Sequence, residues 1–410
     1  MGGSRTVRLL FPNGGKERQT GGGIVKQIQE KSRFTGRILS YKNVNTARQW
    51  ELDMARTAMI LCLPLIHCIN ECTDEADLAG GIPYLFDTII GGPFSAPMYM
   101  FAMGVGMVYT KDSNPMHHLM RGLKILLTGY LLNICRFLLP YLAGYALTGE
   151  KEKYMEPLLY KLLGNDILIF AGMAMMLMAL LIRMEIPDAG LIVIGLGLSG
   201  MGTYFNGTDV KSPIGNIFLG YLIGTEDAAG LVVSDFPICN WLLFPFYGYV
   251  FGKVLKRVKD KDRFYLLLSA PALVFAVIYF AIGLYKKTGM FGEGQNCYYH
   301  MIFGDALASL ALTIGRIGVY YYISIQIPEK AVKLCQGISR NITSIYCIHW
   351  VLVIVVTNLV LYIAGGTQEL EPYRTVLLGC GISAVSVLTA HLYEMWKNKK
   401  RRWRRIEKAT

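Results

Sequence analysis

The stretch Trp50–Asn70 reads WELDMARTAMILCLPLIHCIN and combines an apolar run with ionisable side chains. The run is apolar enough to enter a lipid bilayer, yet it contains Arg56 and His67. Charged or titratable groups at membrane depth are energetically expensive and are usually functional. This stretch therefore predicts a membrane-spanning helix and marks where chemistry is to be sought.

The composition of the whole chain indicates a membrane protein. Of its 410 residues, 53% are hydrophobic and 17% are charged, whereas soluble domains carry about 25% charged residues. The mean hydropathy is +0.37. Apolar runs of about 17 to 25 residues recur, and each could cross a hydrocarbon core roughly 30 Å thick as a helix. We expect an all-α, polytopic integral membrane protein of the plasma membrane with about ten transmembrane helices. The predicted spans are 54–70, 86–109, 124–146, 165–183, 188–205, 236–253, 264–285, 301–326, 342–364 and 374–394.

The positions of lysine and arginine predict the orientation of these spans. Basic residues concentrate in the loops 253–263 and 327–341 and at the C-terminal end. Because cytoplasmic loops carry an excess of Lys and Arg, both termini are predicted to be cytoplasmic. The expected organisation is a basic N-terminal segment at 1–50, a transmembrane domain at 51–395 and a basic tail at 396–410.

The net charge and the motifs exclude several classes of function. The charge of +12 is concentrated in juxtamembrane loops, where topology and anionic lipid headgroups account for it. We therefore expect membrane lipids as partners and no nucleic acid. The sequence has no His-Glu-x-x-His pair and no Cys-x-x-Cys pattern, so no metal site is expected.

The ionisable residues of the first span form a stripe along one helix. Arg56 and His67 are eleven positions apart, which in a helix means about 20° of rotation and an axial separation of roughly 16 Å. Asp53 is one turn before Arg56 and could pair with it. Pro64, three residues before His67, favours a kink and a widened, hydrated pocket. The alternative is that Asp53 and Arg56 only mark the cytoplasmic end of the span and that His67 only lies at the outer interface.

A second cluster lies in the third span. Arg121 and Lys124, spaced i, i+3, would present two cations on one helix face at its inner end. Their position is explained either by the excess of Lys and Arg on the cytoplasmic side or by the binding of an anionic ligand such as a phosphate. Arg136 lies roughly 18 Å further into the same helix and needs a partner at that depth.

Six further residues complete the candidate cavity. Asp87 precedes Gly and Pro breaks that are typical of a discontinuous helix lining a cavity. The partner of Arg136 could be an aspartate or a ligand, and His349 is either a second catalytic group or a structural histidine. The candidates for the substrate cavity are Asp87, Asp166, Asp305, Arg340, His349 and Trp350.

Asp-x-x-Arg followed by ten residues and His closely resembles the signature of the membrane acyltransferase-3 family. Arg121 and Lys124 resemble that family's basic pair, which usually consists of two arginines. The segment SRNITSIYCIHW, residues 339–350, is similar to a late segment of the family. The block FSAPMYMFAMGVGMVY, residues 94–109, looks still closer to bacterial relatives of heparan-α-glucosaminide N-acetyltransferase. The lysosomal enzyme has its catalytic histidine in the loop after the first span, and the corresponding loop 71–85 contains none.

The resemblance implies transfer of an acyl group, with acetyl expected, from cytoplasmic acyl-CoA to an extracytoplasmic carbohydrate or small-molecule acceptor. It implies His67 as the catalytic residue, acting as general base or acyl carrier, with Arg56 and Asp53 assisting it. Arg121, Lys124 and Arg136 would then bind the acetyl-CoA. A homodimer is a candidate for its oligomeric state.

The alternative function is a proton-coupled secondary transporter of a small solute. His67, Asp87 and Asp305 would then form a proton relay around a site between broken helices. Inverted repeats would accompany such a fold, and none is evident in the sequence.

Overall fold

The computed structural model describes residues 36–73, 85–226, 230–286, 291, 298–364 and 369–407. Residues 1–35 and 408–410, which belong to the predicted basic end segments, and most of the loop 71–85 therefore lie outside the described residues. The main helices are α1 Trp50–Cys72, α2 Ala96–Tyr109, α3 Pro115–Asn133, α4 Leu139–Thr148, α5 Lys151–Tyr154, α6 Leu158–Leu163, α7 Ile167–Arg183, α8 Asp188–Tyr204, α9 Pro213–Leu219, α10 Ile238–Trp241, α11 Leu243–Leu255, α12 Lys261–Tyr285, α13 Phe303–Ser324, α14 Glu329–Arg340, α15 Ile342–Val355 and α16 Pro372–Glu407.

The prediction of an all-α protein is confirmed, since β-pairing within the described residues is limited to isolated bridges. Among these residues, seven helical stretches are long and apolar enough to cross a membrane. They are Trp50–Cys72, Pro115–Thr148, Ile238–Leu255, Lys261–Tyr285, Phe303–Ser324, Ile342–Tyr362 and Pro372–Arg401. The predicted spans 86–109, 165–183 and 188–205 contain the shorter helices α2, α7 and α8, of 14, 17 and 17 residues. The total of ten spans and the orientation of the termini stay predictions.

Helix α1 is the central helix, because it packs against α2, α13, α14, α15 and α16. Helix α12 has the opposite character and turns most of its apolar side chains outward. Its exposed large side chains include Leu266, Leu267, Val274, Phe275, Val277 and Ile278. An outer surface of this kind suits contact with lipid tails.

Helix α2 is short because the chain before it is broken. A π-helical segment at Leu85–Gly91 is followed by turns, and α2 begins only at Ala96. The Gly and Pro breaks after Asp87 therefore produce the discontinuous helix that the sequence predicts. Two more π-helical segments, Ile134–Leu138 and Val356–Ala364, extend α3 and α15.

Glycines allow a close helix crossing between α2 and α11. A Cβ atom on Gly104 would lie 2.1 Å from the carbonyl oxygen of Pro245, and one on Gly248 would lie 2.1 Å from that of Phe101. Small residues let membrane helices approach with their backbones nearly in contact. The crossing therefore cannot accept a side chain at either glycine without separating the two helices.

We expect Gly104→Ala to lower the midpoint of thermal unfolding, because overpacking of this kind typically costs about 1–3 kcal/mol. Gly106→Ala is the matched control, since a Cβ there meets nothing within 4 Å. Thermal unfolding of the purified protein in detergent measures both variants. Equal midpoints for the two variants would contradict the close crossing.

Candidate active site

A cavity of about 610 Å³ opens beside the second half of α1. Its wall includes the broken segment Gly91–Ala96, the π-helical part after α3, and a stretch at 233–236 between α9 and α10. Its ionisable lining side chains include His67, Asp87, Arg136, Lys161, Asp166 and Asp235. Five of the residues predicted for catalysis, donor binding or the substrate cavity therefore line this one cavity. They are His67, Asp87, Arg136, Asp166 and Trp350.

His67 is held in the cavity wall by two other aromatic rings. Its ring centroid lies 3.9 Å from that of Trp350 and 5.5 Å from that of His349, which is nearly parallel to it at 9°. No described residue is hydrogen-bonded to the His67 ring nitrogens. The stacked rings thus fix the imidazole plane and leave both nitrogens open to a bound molecule.

His349 lies behind His67 and does not reach the cavity. It is fully buried, and its Nδ1 donates to the Ile345 carbonyl at 3.1 Å. It also meets the edge of the Tyr346 ring at a centroid distance of 5.2 Å. Its buried Nε2 has no hydrogen-bond partner among the described residues, and both roles, a second catalytic group and a structural histidine, stay predictions.

Arg136 pairs with Asp166 at membrane depth, 2.8 Å from Nη2 to Oδ2. Both side chains are buried, at 7% and 6% exposure. Arg136 Nη2 also donates to Asn133 Oδ1 at 2.8 Å, and its guanidinium carbon lies 4.6 Å from the ring centroids of Phe137 and Trp350. The sequence left the partner of Arg136 undecided between an aspartate and a ligand, and in the structure the partner is Asp166.

Asp166 connects this ion pair to the aromatic wall. It caps the start of α7 by accepting from the Ile167 N–H, and it accepts a hydrogen bond of 2.7 Å from the Tyr346 hydroxyl. That hydroxyl accepts in turn from Trp350 Nε1 at 2.8 Å. The network fixes the indole on which His67 rests, so Arg136 and Asp166 position His67 through Trp350.

Asp87 and Asp235 add two carboxylates to the cavity. Asp87 accepts a hydrogen bond from Asn70, which lies one turn beyond His67 on α1. Burial raises the pKa of Asp235 to about 6, and the negative charge of Asp166 adds to the rise, while Lys161 and Arg136 oppose it. Asp235 therefore changes charge near pH 6.

This pKa predicts how Asp235→Asn affects stability. The folded pKa lies above the ordinary value of 3.8, so the folded protein holds the proton more tightly than the unfolded chain does. The carboxylate consequently destabilises the fold increasingly as pH rises from 4 to 6, by at most about 3 kcal/mol, since each pH unit between the two values is worth about 1.4 kcal/mol. We expect Asp235→Asn to raise the midpoint of thermal unfolding above pH 6 and to leave it unchanged below pH 4.

Asp209→Asn is a control whose expected effect on the unfolding midpoint has the opposite sign. Hydrogen bonds from Asn216 and Lys211 lower its pKa to about 2. Asp209→Asn should therefore lower the unfolding midpoint above pH 4 and lose its effect toward pH 2. A midpoint shift of the same sign for both variants at pH 7.5 would contradict the environments that the structure gives the two carboxylates.

At the other end of α1, Asp53 holds a small cluster together. It is fully buried and lies 2.5 Å from Arg48 Nε and 3.0 Å from Arg56 Nη2. The Ser339 hydroxyl of α14 donates to it at 2.8 Å. Thr57 adds a second link to α14 by donating to the Cys335 carbonyl at 2.8 Å. Asp53 thus orients Arg56, and it also fastens α14 to α1.

The other predicted site residues lie away from the cavity. Arg121 and Lys124 are exposed on α3, and Arg121 lies within electrostatic range of Arg56. Asp305 accepts a hydrogen bond of 3.0 Å from Tyr279 near the start of α13, and Arg340 is exposed at the end of α14. Neither residue is among those that line the cavity, since Asp305 is buried beside Tyr279 and Arg340 is exposed.

Sequence reasoning missed several lining residues, among them Asn70, Tyr99, Lys161 and Asp235. Asp235 had a recognisable signal in the sequence, because it is the single acidic residue of the stretch 230–239, which runs into the sixth predicted span. Lys161 lies in α6, a helix too short to show a period. Among the described residues, no group of three or more His, Cys, Asp and Glu side chains is placed to hold a metal ion.

Comparison with known proteins gives one match. A family model described as an acyltransferase domain, that of the acyltransferase-3 family, matches residues 162–391. No curated protein and no solved structure matches the chain, so the relation to heparan-α-glucosaminide N-acetyltransferase stays a prediction. The matched part contains Asp166 and Trp350, and the fold places these residues against Arg136 and His67, which precede it. Because the match covers more than half of the 410 residues, this chain belongs to the acyltransferase-3 family.

Proposed function

We propose that the protein transfers an acyl group, with acetyl expected, from cytoplasmic acyl-CoA to an acceptor on the outer side of the plasma membrane. The observation that carries this proposal is the His67 imidazole in the wall of a cavity of about 610 Å³, held by ring stacking and without a hydrogen bond from a described residue. Family membership supports acyl transfer and does not favour a proton-coupled transporter.

His67 has the chemistry that the transfer requires. A neutral imidazole accepts the proton of an acceptor hydroxyl or amine as its oxygen or nitrogen attacks the thioester carbonyl. The C–S bond then breaks, and the thiolate of CoA takes up the proton from His67. The products are the acylated acceptor and free CoA, and the imidazole returns to its neutral form.

A second route passes through acyl-His67. Here an imidazole nitrogen attacks the thioester first, CoA leaves as the thiol, and the acceptor takes the acyl group in a second step. Both routes need the same open nitrogen on His67. Mass spectrometry of protein quenched with acetyl-CoA in the absence of acceptor distinguishes them, because only the second route adds an acetyl group to His67.

Arg136 is the candidate donor for the oxyanion of the tetrahedral intermediate. Its guanidinium lines the cavity, and its buried Nε has no hydrogen-bond partner among the described residues. A preorganised cation in a low-dielectric site stabilises developing negative charge strongly. Asn133 is not suited to this role, because its amide nitrogen already donates to the Leu162 and Gly164 carbonyls at 3.1 and 3.2 Å.

The cavity chemistry favours a carbohydrate as acceptor. Asp87 and Asp235 can accept hydrogen bonds from sugar hydroxyls. Aromatic side chains on the same walls, which include Tyr99, Phe236, Tyr298 and Trp350, offer flat apolar faces to a sugar ring. A small amine remains the other acceptor class that these carboxylates would suit.

The donor is proposed to reach His67 from the end of α1 that bears Arg56. Arg56 and Arg121 lie close enough for their charges to interact, and such a pair suits the phosphates of CoA. Lys124 is exposed one turn further along α3 and could add a third cation. Tyr99 lines the cavity and lies within electrostatic range of Arg56, which marks the direction the pantetheine arm would follow.

Binding of the donor can be tested without knowing the acceptor. We expect acetyl-CoA to raise the midpoint of thermal unfolding of the purified protein in detergent, because a ligand that binds the folded state stabilises it. Free acetate at the same ionic strength is the control and should have no effect. Stabilisation by acetate but not by acetyl-CoA would favour a solute transporter and would count against the proposal.

A further inference from the structure

A second cavity, of about 280 Å³, lies outside the candidate active site. It is formed where the end of α2, the start of α3, the start of α8 and the end of α11 meet the segment at Asn43. The basic loop 253–263 contributes to it, and that loop is predicted to be cytoplasmic. The cavity is therefore expected to open on the side from which the acyl donor comes.

The rim of this cavity carries more positive than negative charge. Lys253 Nζ pairs with Asp188 at 2.5 Å. Lys256 Nζ donates to the Val108 carbonyl at 2.6 Å, and Arg257 Nε donates to the Ser40 carbonyl at 2.8 Å. Neither Lys256 nor Arg257 has a carboxylate partner among the described residues. Two cations are thus fixed at the rim without a counter-charge from the described part of the chain.

His118 supplies the polar group inside the cavity. It is only 1% exposed, it lines the cavity, and its Nδ1 has no hydrogen-bond partner within the described ranges. A buried polar atom without a partner is costly unless a bound molecule satisfies it. The excess of Lys and Arg in cytoplasmic loops explains exposed cations at the rim of this cavity. It does not explain an unpartnered imidazole beneath them.

We propose that this cavity binds a phosphate group, with Lys256 and Arg257 as its cations and His118 as a hydrogen-bond partner. The cavity is slightly smaller than ordinary ligand pockets of roughly 300–1,000 Å³, which suits a single phosphate better than a whole nucleotide. Arginine and lysine are the usual partners of phosphate oxygens. His118 also lies within electrostatic range of Arg121, so the cavity adjoins the cations assigned to the donor.

The phosphate could belong to acyl-CoA or to an anionic phospholipid of the cytoplasmic leaflet. The first source rests on the proposed function, because it makes the cavity part of donor binding. The second source does not, because basic pockets between helices on this side bind anionic headgroups whatever the protein does. Both sources present the same chemistry to the three side chains.

Inorganic phosphate tests the site without reference to activity. Thermal unfolding of the full-length protein is followed against increasing phosphate, with chloride at equal ionic strength as the reference. We expect a saturable stabilisation whose apparent Kd rises about tenfold or more in Arg257→Gln and in Lys256→Gln, as the loss of a charge-assisted hydrogen bond implies. His118→Phe, which keeps an aromatic ring and removes the nitrogens, should also raise the apparent Kd for phosphate. Lys330→Gln, an exposed cation of the other predicted cytoplasmic loop, should bind phosphate like the wild type.

Two further measurements separate the sources. If the phosphate is that of the donor, the wild type binds CoA more tightly than 3′-dephospho-CoA, and Arg257→Gln removes the difference. If it is a headgroup, the wild type is more stable in nanodiscs of phosphatidylglycerol than of phosphatidylcholine, and Arg257→Gln removes that difference instead. The proposal is overturned if phosphate does not stabilise the protein or if the three cavity variants bind it as the wild type does. Either result would leave acyl transfer at His67 untouched.

Discussion

His67→Gln is expected to reduce acyl transfer by about 10²–10⁴-fold, the usual contribution of a positioned general base. If the transfer passes through acyl-His67, the loss is at least as large, because no covalent intermediate can form. Glutamine keeps the approximate length of the side chain and removes the basic nitrogen. The midpoint of thermal unfolding should fall only modestly, because the variant removes two ring contacts, with His349 and Trp350, and such pairs are each worth about 0.5–1.5 kcal/mol.

The matched control for this variant is His391→Gln. His391 is exposed on α16 and is not among the residues that line the cavity. Its replacement should leave both transfer and stability at wild-type values. Transfer activity in His67→Gln equal to that of His391→Gln would remove His67 from the mechanism, whatever the role of the cavity.

Arg136→Ala is expected to have the largest effect on stability. It leaves the Asp166 carboxylate buried without its cation, and breaking a buried pair in this way typically costs about 3–5 kcal/mol. It also removes the guanidinium that packs against Trp350 and the proposed oxyanion donor. Both the midpoint of thermal unfolding and the transfer rate should fall, and lowering the temperature of the assay should not restore the rate.

A double variant separates the two roles of Arg136. In Arg136→Met with Asp166→Asn, no uncompensated charge remains, so much of the stability should return while transfer stays low. Lys333→Ala, which breaks an exposed pair with Glu329, is the control and should not shift the midpoint. Full transfer activity in the stable double variant would show that Arg136 acts only as a structural residue.

The first span illustrates what the sequence alone could predict. The spacing of Arg56 and His67 placed both on one stripe of a helix, and α1 is indeed a continuous helix from Trp50 to Cys72. The pairing of Asp53 with Arg56 followed from their separation by one turn and is present at 3.0 Å. Such contacts are predictable because they depend on helical geometry within a few residues.

The contacts that build the cavity are of another kind. Asp87, Asp166 and Asp305 all lay within predicted spans, and helical periodicity does not say which of them meets Arg136. That choice depends on how α3 packs against α7, where the backbones approach closely at Gly122 and Gly172. Asp235 was missed for a similar reason, because an irregular segment brings it to the cavity and no period marks its direction.

The most direct test of the central claim is transfer from one face of the membrane to the other. Sealed inside-out vesicles of native membranes receive radiolabelled acetyl-CoA on their outer, cytoplasmic face, and label retained in macromolecular or lipid-linked material inside the vesicles is measured. Label that accumulates with the wild type and not with His67→Gln is the predicted result. Equal label with both proteins, or label that accumulates only when acetyl-CoA is supplied to the opposite face, would contradict the account.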